Sequence, residues 1–231
     1  MENIFDFIKS NFFHVAPILI AGVIAIAIVV ERVKTLVFTY PLNNVSGFFD
    51  HLRDFLMTDR LSEAIAFCDR YGKKPVAQIA RAGLLRAHQP ETLIADGLEI
   101  ALAQATHQIQ KRTSFLSAIA NVSTLLGLFG TILGLIQSFQ AVGTATAQQK
   151  SALLAAGIST AMNATMLGLS VAIPCMVAFS FLMNRSNRLI SESEASATQV
   201  LDLIKQRYYA AELEAVTQLN GKAGQPFQRV G

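Results

Sequence analysis

Charged side chains are scarce in this chain, and long stretches lack them altogether. Asp, Glu, Lys and Arg make up 15% of the 231 residues, whereas a soluble domain has about 25%. Residues 15–30, 113–149 and 151–184 contain none of them. A helix of such length crosses most or all of the roughly 30 Å hydrocarbon core of a bilayer. The sequence therefore predicts an all-α membrane protein with three transmembrane helices.

Residues that carry enzyme chemistry are equally sparse. Cys68 is in the charged middle region and Cys175 is inside an apolar stretch, so neither their spacing nor their placement suggests a disulfide or metal pair. The sequence has no nucleophile–base pair, metal-ligand cluster or phosphate loop. Its net charge of +3 comes from basic residues interleaved with acidic ones, without an aromatic–basic patch. We expect a non-enzyme with no cofactor, no metal and no nucleic-acid partner. The histidines are scattered: His14, His51, His88 and His107.

The placement of lysine and arginine predicts the orientation in the membrane. Residues 31–113 hold eleven of the nineteen and residues 185–231 hold six, which leaves only Lys9 and Lys150. Loops rich in these residues stay on the cytoplasmic side. The N-terminus is therefore expected to be periplasmic and the C-terminus cytoplasmic. Residues 15–30 lack the basic flank and cleavage site of a signal peptide, so we expect an uncleaved anchor.

These observations predict seven segments. They are a periplasmic N-terminus (1–14), transmembrane helix 1 (15–39), a cytoplasmic helical domain (40–112), transmembrane helix 2 (113–142), a periplasmic loop (143–150), transmembrane helix 3 (151–184), and a cytoplasmic helix extension with a tail (185–231).

The cytoplasmic region is predicted to be helical and to include extensions of helices two and three. Apolar residues recur at helical spacing over 43–71, with a turn-like break at 58–60, and a further short helix is expected over 76–87. No proline interrupts 91–142, which predicts one long helix. The third helix is expected to continue to about residue 209, with a frayed tail from residue 217.

Small and polar residues gather in the second and third spans. Thr124, Thr131 and Ser138 share one face of span two with two of its glycines, since the five residues are three or four positions apart. In the purely structural interpretation, the hydroxyls hydrogen-bond to their own helix and the glycines serve only as helix-packing contacts. In the alternative interpretation they line a wet, ion-contacting interior. The accumulation of hydroxyl and amide groups on two successive spans favours this alternative. The residues expected along the ion pathway are Thr124, Thr131, Ser138, Thr160, Asn163 and Thr165, and those expected to pack helices are Gly127, Gly130, Gly134, Gly168 and Pro174.

None of the three spans has an ionisable residue in its central part. The chain therefore has no group that changes charge inside the membrane and cannot relay protons alone. If ion flow is coupled to work, the titrating carboxylate must come from a second protein. We expect a single span of that protein to lie against the faces of Thr131 and Thr165.

Two stretches resemble the MotA/TolQ/ExbB family. Residues 126–134 (LGLFGTILG) look like its second-span signature, and residues 157–169 (GISTAMNATMLGL), followed by Ala172-Ile173-Pro174, are similar to its third-span motif. Glu31-Arg32 at the end of span one also fits, and the three-span layout favours the TolQ/ExbB branch. The resemblance implies an inner-membrane homopentamer around a dimer of a TolR/ExbD-like partner with a membrane aspartate. It places Thr131 and Thr165 in the pore.

One position departs from the family pattern. TolQ and ExbB proteins commonly have a glutamate in the third span where this sequence has Thr160. Hydroxyl oxygens at Thr160 and Thr165 would suit sodium, since hard cations prefer oxygen ligands. We expect protons as the transported ion, with sodium as the alternative. The alternative function is a non-conducting membrane scaffold.

Overall fold

The computed structural model describes the backbone of residues 12–223 and the side chains of residues 15–210. The backbone over 12–223 forms seven α-helices and one π-helical segment, and it contains no strand, which confirms the all-α prediction. The elements are α1 (Phe12–Val33), the π-helical segment (Lys34–Thr39), α2 (Val45–Met57), α3 (Leu61–Arg70), α4 (Pro75–Leu84), α5 (Glu91–Gln110), α6 (Thr113–Thr144) and α7 (Lys150–Ala223). Most of the predicted N-terminal segment and residues 224–231 lie outside the described residues.

Three stretches of helix are long and apolar enough to cross a membrane. They are Val15–Thr39, Glu91–Thr144 and Lys150–Ala210. Large apolar side chains on these helices remain exposed, for example Val23 at 68% and Phe139 at 63%. Exposed apolar surface on this scale suits contact with hydrocarbon. The prediction of three membrane-spanning helices is confirmed.

Backbone contacts divide the chain into two compact units. The first unit contains the residues up to Leu36 together with Gln110–Arg185, and the second contains Val37–Ile109 and the residues from Ser186 onward. In the first unit α1 packs against α6 and α7. Val15 is buried with Ala164. The polar residues predicted in the membrane spans lie on the other two helices of this unit, α6 and α7.

The expected single helix over 91–142 is wrong, because the backbone breaks between α5 and α6. Lys111 and Arg112 form a turn, and Arg112 has a left-handed conformation with φ of 63°. For a residue other than glycine this conformation costs about 1–2 kcal/mol. Its guanidinium donates to both carboxylate oxygens of Glu31 at 2.6 Å.

The second unit has its own hydrophobic core. Asn44 begins α2 by accepting a hydrogen bond from the Gly47 amide at 2.9 Å. Phe48 stacks on Phe67 with ring centroids 5.3 Å apart. Seven of the ten residues of α4 are buried, which places this helix at the centre of the unit. The predicted helices over 43–71, broken at 58–60, and over 76–87 correspond to α2, α3 and α4.

The last helix is longer than predicted. α7 runs without a break to Ala223, whereas the sequence pattern predicted an end near residue 209 and fraying from residue 217. The glycine at residue 221, a weak helix former, does not end it.

Candidate functional site

Pairs of small residues bring α6 and α7 into backbone contact. A Cβ added to Gly127 would lie 3.1 Å from the Cα of Gly168, and one added to Gly130 would lie 2.7 Å from the Cβ of Ala164. Contacts this short leave no room for a larger side chain. The opposed pairs are Gly127 with Gly168, Gly130 with Ala164, and Gly134 with Ala161.

The hydroxyls of Thr131 and Thr165 meet within this stretch of close helix contact. They hydrogen-bond to each other. The Thr131 Oγ1 also lies 3.2 Å from the carbonyl oxygens of Gly127 and Ala161, and the Thr165 Oγ1 lies 3.3 Å from that of Gly127. Two hydroxyl protons therefore face three acceptor groups: the partner hydroxyl and two carbonyls. Either hydroxyl can be the donor in the pair while the other donates to a carbonyl.

Local helix geometry explains why the hydroxyl pair forms here. Thr131 follows Gly127 by four residues, and a threonine hydroxyl commonly bonds to the carbonyl four residues earlier. Gly127 has no side chain to cover that carbonyl, so Thr165 reaches it from the other helix. The glycine contact and the threonine contact are therefore parts of one arrangement.

Two other hydroxyls of α6 have different surroundings. The exposed Thr124 lies two turns before Thr131 on the same face and donates to the Ala120 carbonyl at 3.0 Å. Ser138 is 4% exposed and packs against Gly157, where an added Cβ would collide with its Oγ. The Ser138 hydroxyl has no hydrogen-bond partner among the residues that the structure describes. Ser138 therefore lies in the helix interface, whereas Thr124 lies beside it.

Thr160 and Asn163 do not join the threonine pair. They precede Thr165 by five and two residues, which places them about 140° and 160° away from it around the axis of α7. The Thr160 hydroxyl donates to the Ala156 carbonyl of its own helix at 3.0 Å. Asn163 is half-buried, and its side chain forms no hydrogen bond within residues 15–210. Within one chain, the Thr160 and Thr165 hydroxyls do not converge on a common ion site.

Pro174 also lies away from the threonine pair. It is an exposed residue inside α7 and lines a groove beside α1. Proline has no amide hydrogen, so the Ser170 carbonyl loses its ordinary helical donor. The predicted packing residues thus separate into an α6–α7 set and Pro174 on the α1 side.

Sequence reasoning missed part of the polar surface of α6. Ser117 and the exposed Asn121 precede Thr131 by fourteen and ten residues and share its face with Thr124. In the other direction Ser138 of this face is buried in the helix interface, and the accessible surface continues with Leu135 and the exposed Phe139. The surface beside Thr131 is therefore polar toward Arg112 and apolar toward residue 144. The spacing of four, three and seven residues from 117 to 131 carried this signal.

The charges nearest to this surface in the sequence lie at one end of α6. Arg112 pairs there with Glu31, and both side chains are about half exposed. From Thr113 to Thr144 the helix carries no charge. No group of three metal-binding side chains occurs in the part of the chain that the structure describes. The atoms of this site that could contact an ion are hydroxyl and carbonyl oxygens.

Comparison with known proteins identifies the family. Residues 71–195, more than half of the chain, match the model of the MotA/TolQ/ExbB proton channel family. The chain is 34% identical over 129 residues to the biopolymer transport protein exbB1 of Vibrio cholerae, covering 55% of this chain and 57% of that protein. It is 30% identical over 120 residues to the Tol-Pal system protein TolQ of Pseudomonas aeruginosa, covering 52% and 51%.

A third relative is covered more fully. The ExbB-like 3 biopolymer transport protein of Synechocystis is 32% identical over 151 residues, 63% of this chain and 70% of that protein. The chain spans about half the length of the Vibrio and Pseudomonas relatives. Together with its three apolar helices, these matches define a multi-pass membrane protein. The chain belongs to the MotA/TolQ/ExbB family and is TolQ/ExbB-like. The family is one of channels, in agreement with the expectation of a non-enzyme.

Proposed function

We propose that this chain is the pore-forming subunit of an ion-driven motor in the bacterial inner membrane. It would couple ion flow, through a single-span TolR/ExbD-like partner with a membrane aspartate, to work at the cell envelope. The observation that carries this proposal is the hydrogen-bonded pair of Thr131 and Thr165, set in a helix interface without charge. Family membership supports it.

The threonine pair suits a partner that carries the charge. Its hydroxyls can donate to a carboxylate or accept from a protonated one, because either can reverse its role in the pair. The uncharged spans leave the change of charge to the partner's aspartate. One elementary charge crossing about 150 mV releases roughly 3.5 kcal/mol, enough to reorganise a modest interface.

The assembly proposed is a homopentamer around two partner spans. Its N-terminus is periplasmic and residues 40–112 and 185–231 are cytoplasmic, as the positions of lysine and arginine favour. The small residues of the α6–α7 pair support a rigid wall, since their backbones touch. The partner's span would contact the neighbouring polar face.

Protons are the ion proposed, with sodium as the alternative. A sodium site built from the Thr160 and Thr165 hydroxyls of one chain has little support, because they lie on different sides of α7. Replacing sodium by potassium at a constant proton gradient distinguishes the two ions. Unchanged activity is expected, and loss of activity would reject the proton proposal.

A non-conducting scaffold is the second candidate. Thr124 and Thr160 donate to their own helix, as expected if the hydroxyls are only structural. In that case removing the hydroxyls of Thr131 and Thr165 would leave function intact.

The deciding experiment uses the complex with the aspartate-bearing protein, purified in mild detergent. Native mass spectrometry should give five copies of this chain to two of the partner. Reconstituted vesicles should take up protons, and Thr165→Val, which keeps the side-chain shape, should abolish uptake without changing the assembly. Normal uptake by this variant, or a homo-oligomer that never retains a partner, would favour the scaffold.

A further inference from the structure

A groove runs between α1 and α7 of the first unit. It encloses a cavity of about 290 Å³, whose walls include Gly22, Ala25 and Val29 on α1 and Val171, Pro174 and Ala178 on α7. A hydroxyl in its lining, that of Ser170, already donates to the Leu167 carbonyl at 2.7 Å. The groove is therefore apolar.

The groove lies at hydrocarbon depth. Its α1 wall extends over residues 22–30 and its α7 wall over residues 170–178, both inside uncharged stretches. At 1.5 Å per residue each wall is about 12 Å long. A groove of this kind in a membrane takes an apolar occupant, because polar groups cannot be satisfied there.

One end of the groove leads to basic side chains. Lys34 lies one turn beyond Val30, and Arg185 lies two turns beyond Ala178. The Arg185 Nε donates to the Leu36 carbonyl at 3.3 Å, so its side chain bridges the two helices just past the groove. Both residues therefore stand where the polar head of a groove-bound lipid would lie.

The charge at this end is strongly positive. In the described residues of the first unit it comprises five basic side chains and the single acid Glu31. At the other end of these helices, the one charged side chain among the described residues of this unit is Lys150. The five basic residues are Arg32, Lys34, Lys111, Arg112 and Arg185.

We propose that this groove binds one acyl chain of an anionic glycerophospholipid, whose phosphate lies between Lys34 and Arg185. Basic residues beside a membrane attract anionic lipids by about 1 kcal/mol each. The lipid phosphate supplies the anion that the basic side chains at this end of the groove attract.

The test measures lipid binding to the full-length chain in detergent by native mass spectrometry. Phosphatidylglycerol and phosphatidylcholine of identical acyl chains are titrated separately. The Lys34→Gln/Arg185→Gln variant should bind phosphatidylglycerol roughly 30-fold more weakly, the factor expected for two basic side chains. Lys150→Gln, which removes the basic residue at the other end, should bind as the unaltered chain does.

A second variant tests the groove itself. Ala178→Leu places a larger side chain in the cavity and should weaken binding of phosphatidylglycerol while both basic residues remain. Equal affinity for the two lipids in the unaltered chain would overturn the proposal. So would full binding by Ala178→Leu or by the doubly substituted chain, or an equal loss in Lys150→Gln. None of these results depends on ion transport, so they do not decide the motor function.

Discussion

Gly127 and Gly168 face each other across the α6–α7 interface with no space for a side chain. A Cβ on Gly168 would lie 2.8 Å from the Cα of Gly127 and 2.6 Å from the carbonyl oxygen of Ser123. Both neighbours are backbone atoms, which cannot move aside as the end of a flexible side chain can. The hydroxyl pair of Thr131 and Thr165 depends on this separation, because Thr165 also reaches the Gly127 carbonyl.

Gly168→Ala should therefore destabilise the protein. Adding a methyl group to a closely packed interface costs about 1–3 kcal/mol. Thermal unfolding in mild detergent measures the loss. The matched control is Gly143→Ala, because a Cβ at Gly143 of the same helix pair meets nothing within 4 Å. Equal unfolding midpoints for the two variants would contradict the close contact.

Asn121→Leu should reduce ion flux without changing assembly. Asn121 is exposed on the polar face that leads to Thr131, and its amide would bind water or an ion there. Replacing it with leucine should lower the flux roughly tenfold, the effect of about 1.4 kcal/mol on a rate. Proton uptake by vesicles containing the complex measures this change.

The control for Asn121 is Gln137→Leu. Gln137 is also an exposed amide of α6, but sixteen residues later it lies about 160° away around the axis. Its replacement should leave the flux unchanged. A similar loss in both variants would indicate that any amide on α6 matters and that the polar face has no special role.

The turn at Arg112 gives a prediction about backbone strain. Arg112→Ala and Arg112→Gly both remove the ion pair with Glu31, but only glycine adopts a φ of 63° without strain. The glycine variant should therefore be more stable than the alanine variant by about 1 kcal/mol. Chemical denaturation of the two variants measures the difference. Equal stability would mean that the turn does not keep its left-handed conformation.

The three spans and the helices of the second unit could be predicted from the sequence, because uncharged stretches and the helical spacing of apolar residues are properties of the local sequence. The break at Arg112 could not. Neither glycine nor proline marks it, and the Glu31 carboxylate that Arg112 contacts is 81 residues away in the sequence. Local signals therefore left this helix boundary open.

The candidate site was predictable in part. Helical spacing placed Thr124 and Thr131 on one face, but periodicity does not fix which residues of two helices meet. The glycine contacts set that register, and the role of Thr165 rested on the family resemblance. That Thr160 and Asn163 lie on another side of α7 follows from spacing alone. The prediction grouped Thr160 and Asn163 with Thr165 because all three are polar, and this grouping ignored their positions around the helix axis.

Cys68 should be unreactive in the folded protein. Burial, together with the adjacent Asp69 carboxylate, raises the pKa of its thiol to about 12. An unfolded thiol has a pKa near 8.5, and only the thiolate reacts. In a Cys175→Ala background, where Cys68 is the only thiol, iodoacetamide at pH 8.5 should modify the folded chain at least about 100-fold more slowly than the unfolded chain. Equal rates would contradict the burial of this side chain.

The same pKa predicts how stability depends on pH. Between about pH 8.5 and 12 the unfolded chain loses the Cys68 proton while the folded chain keeps it. The free energy of unfolding therefore falls as pH rises through this range, by up to about 1.4 kcal/mol per unit for this group. Other groups also titrate there, so the slope is compared with that of Cys68→Ala. The variant should show the shallower decline from pH 8.5 to 11, and parallel slopes would mean that the thiol titrates alike in both states.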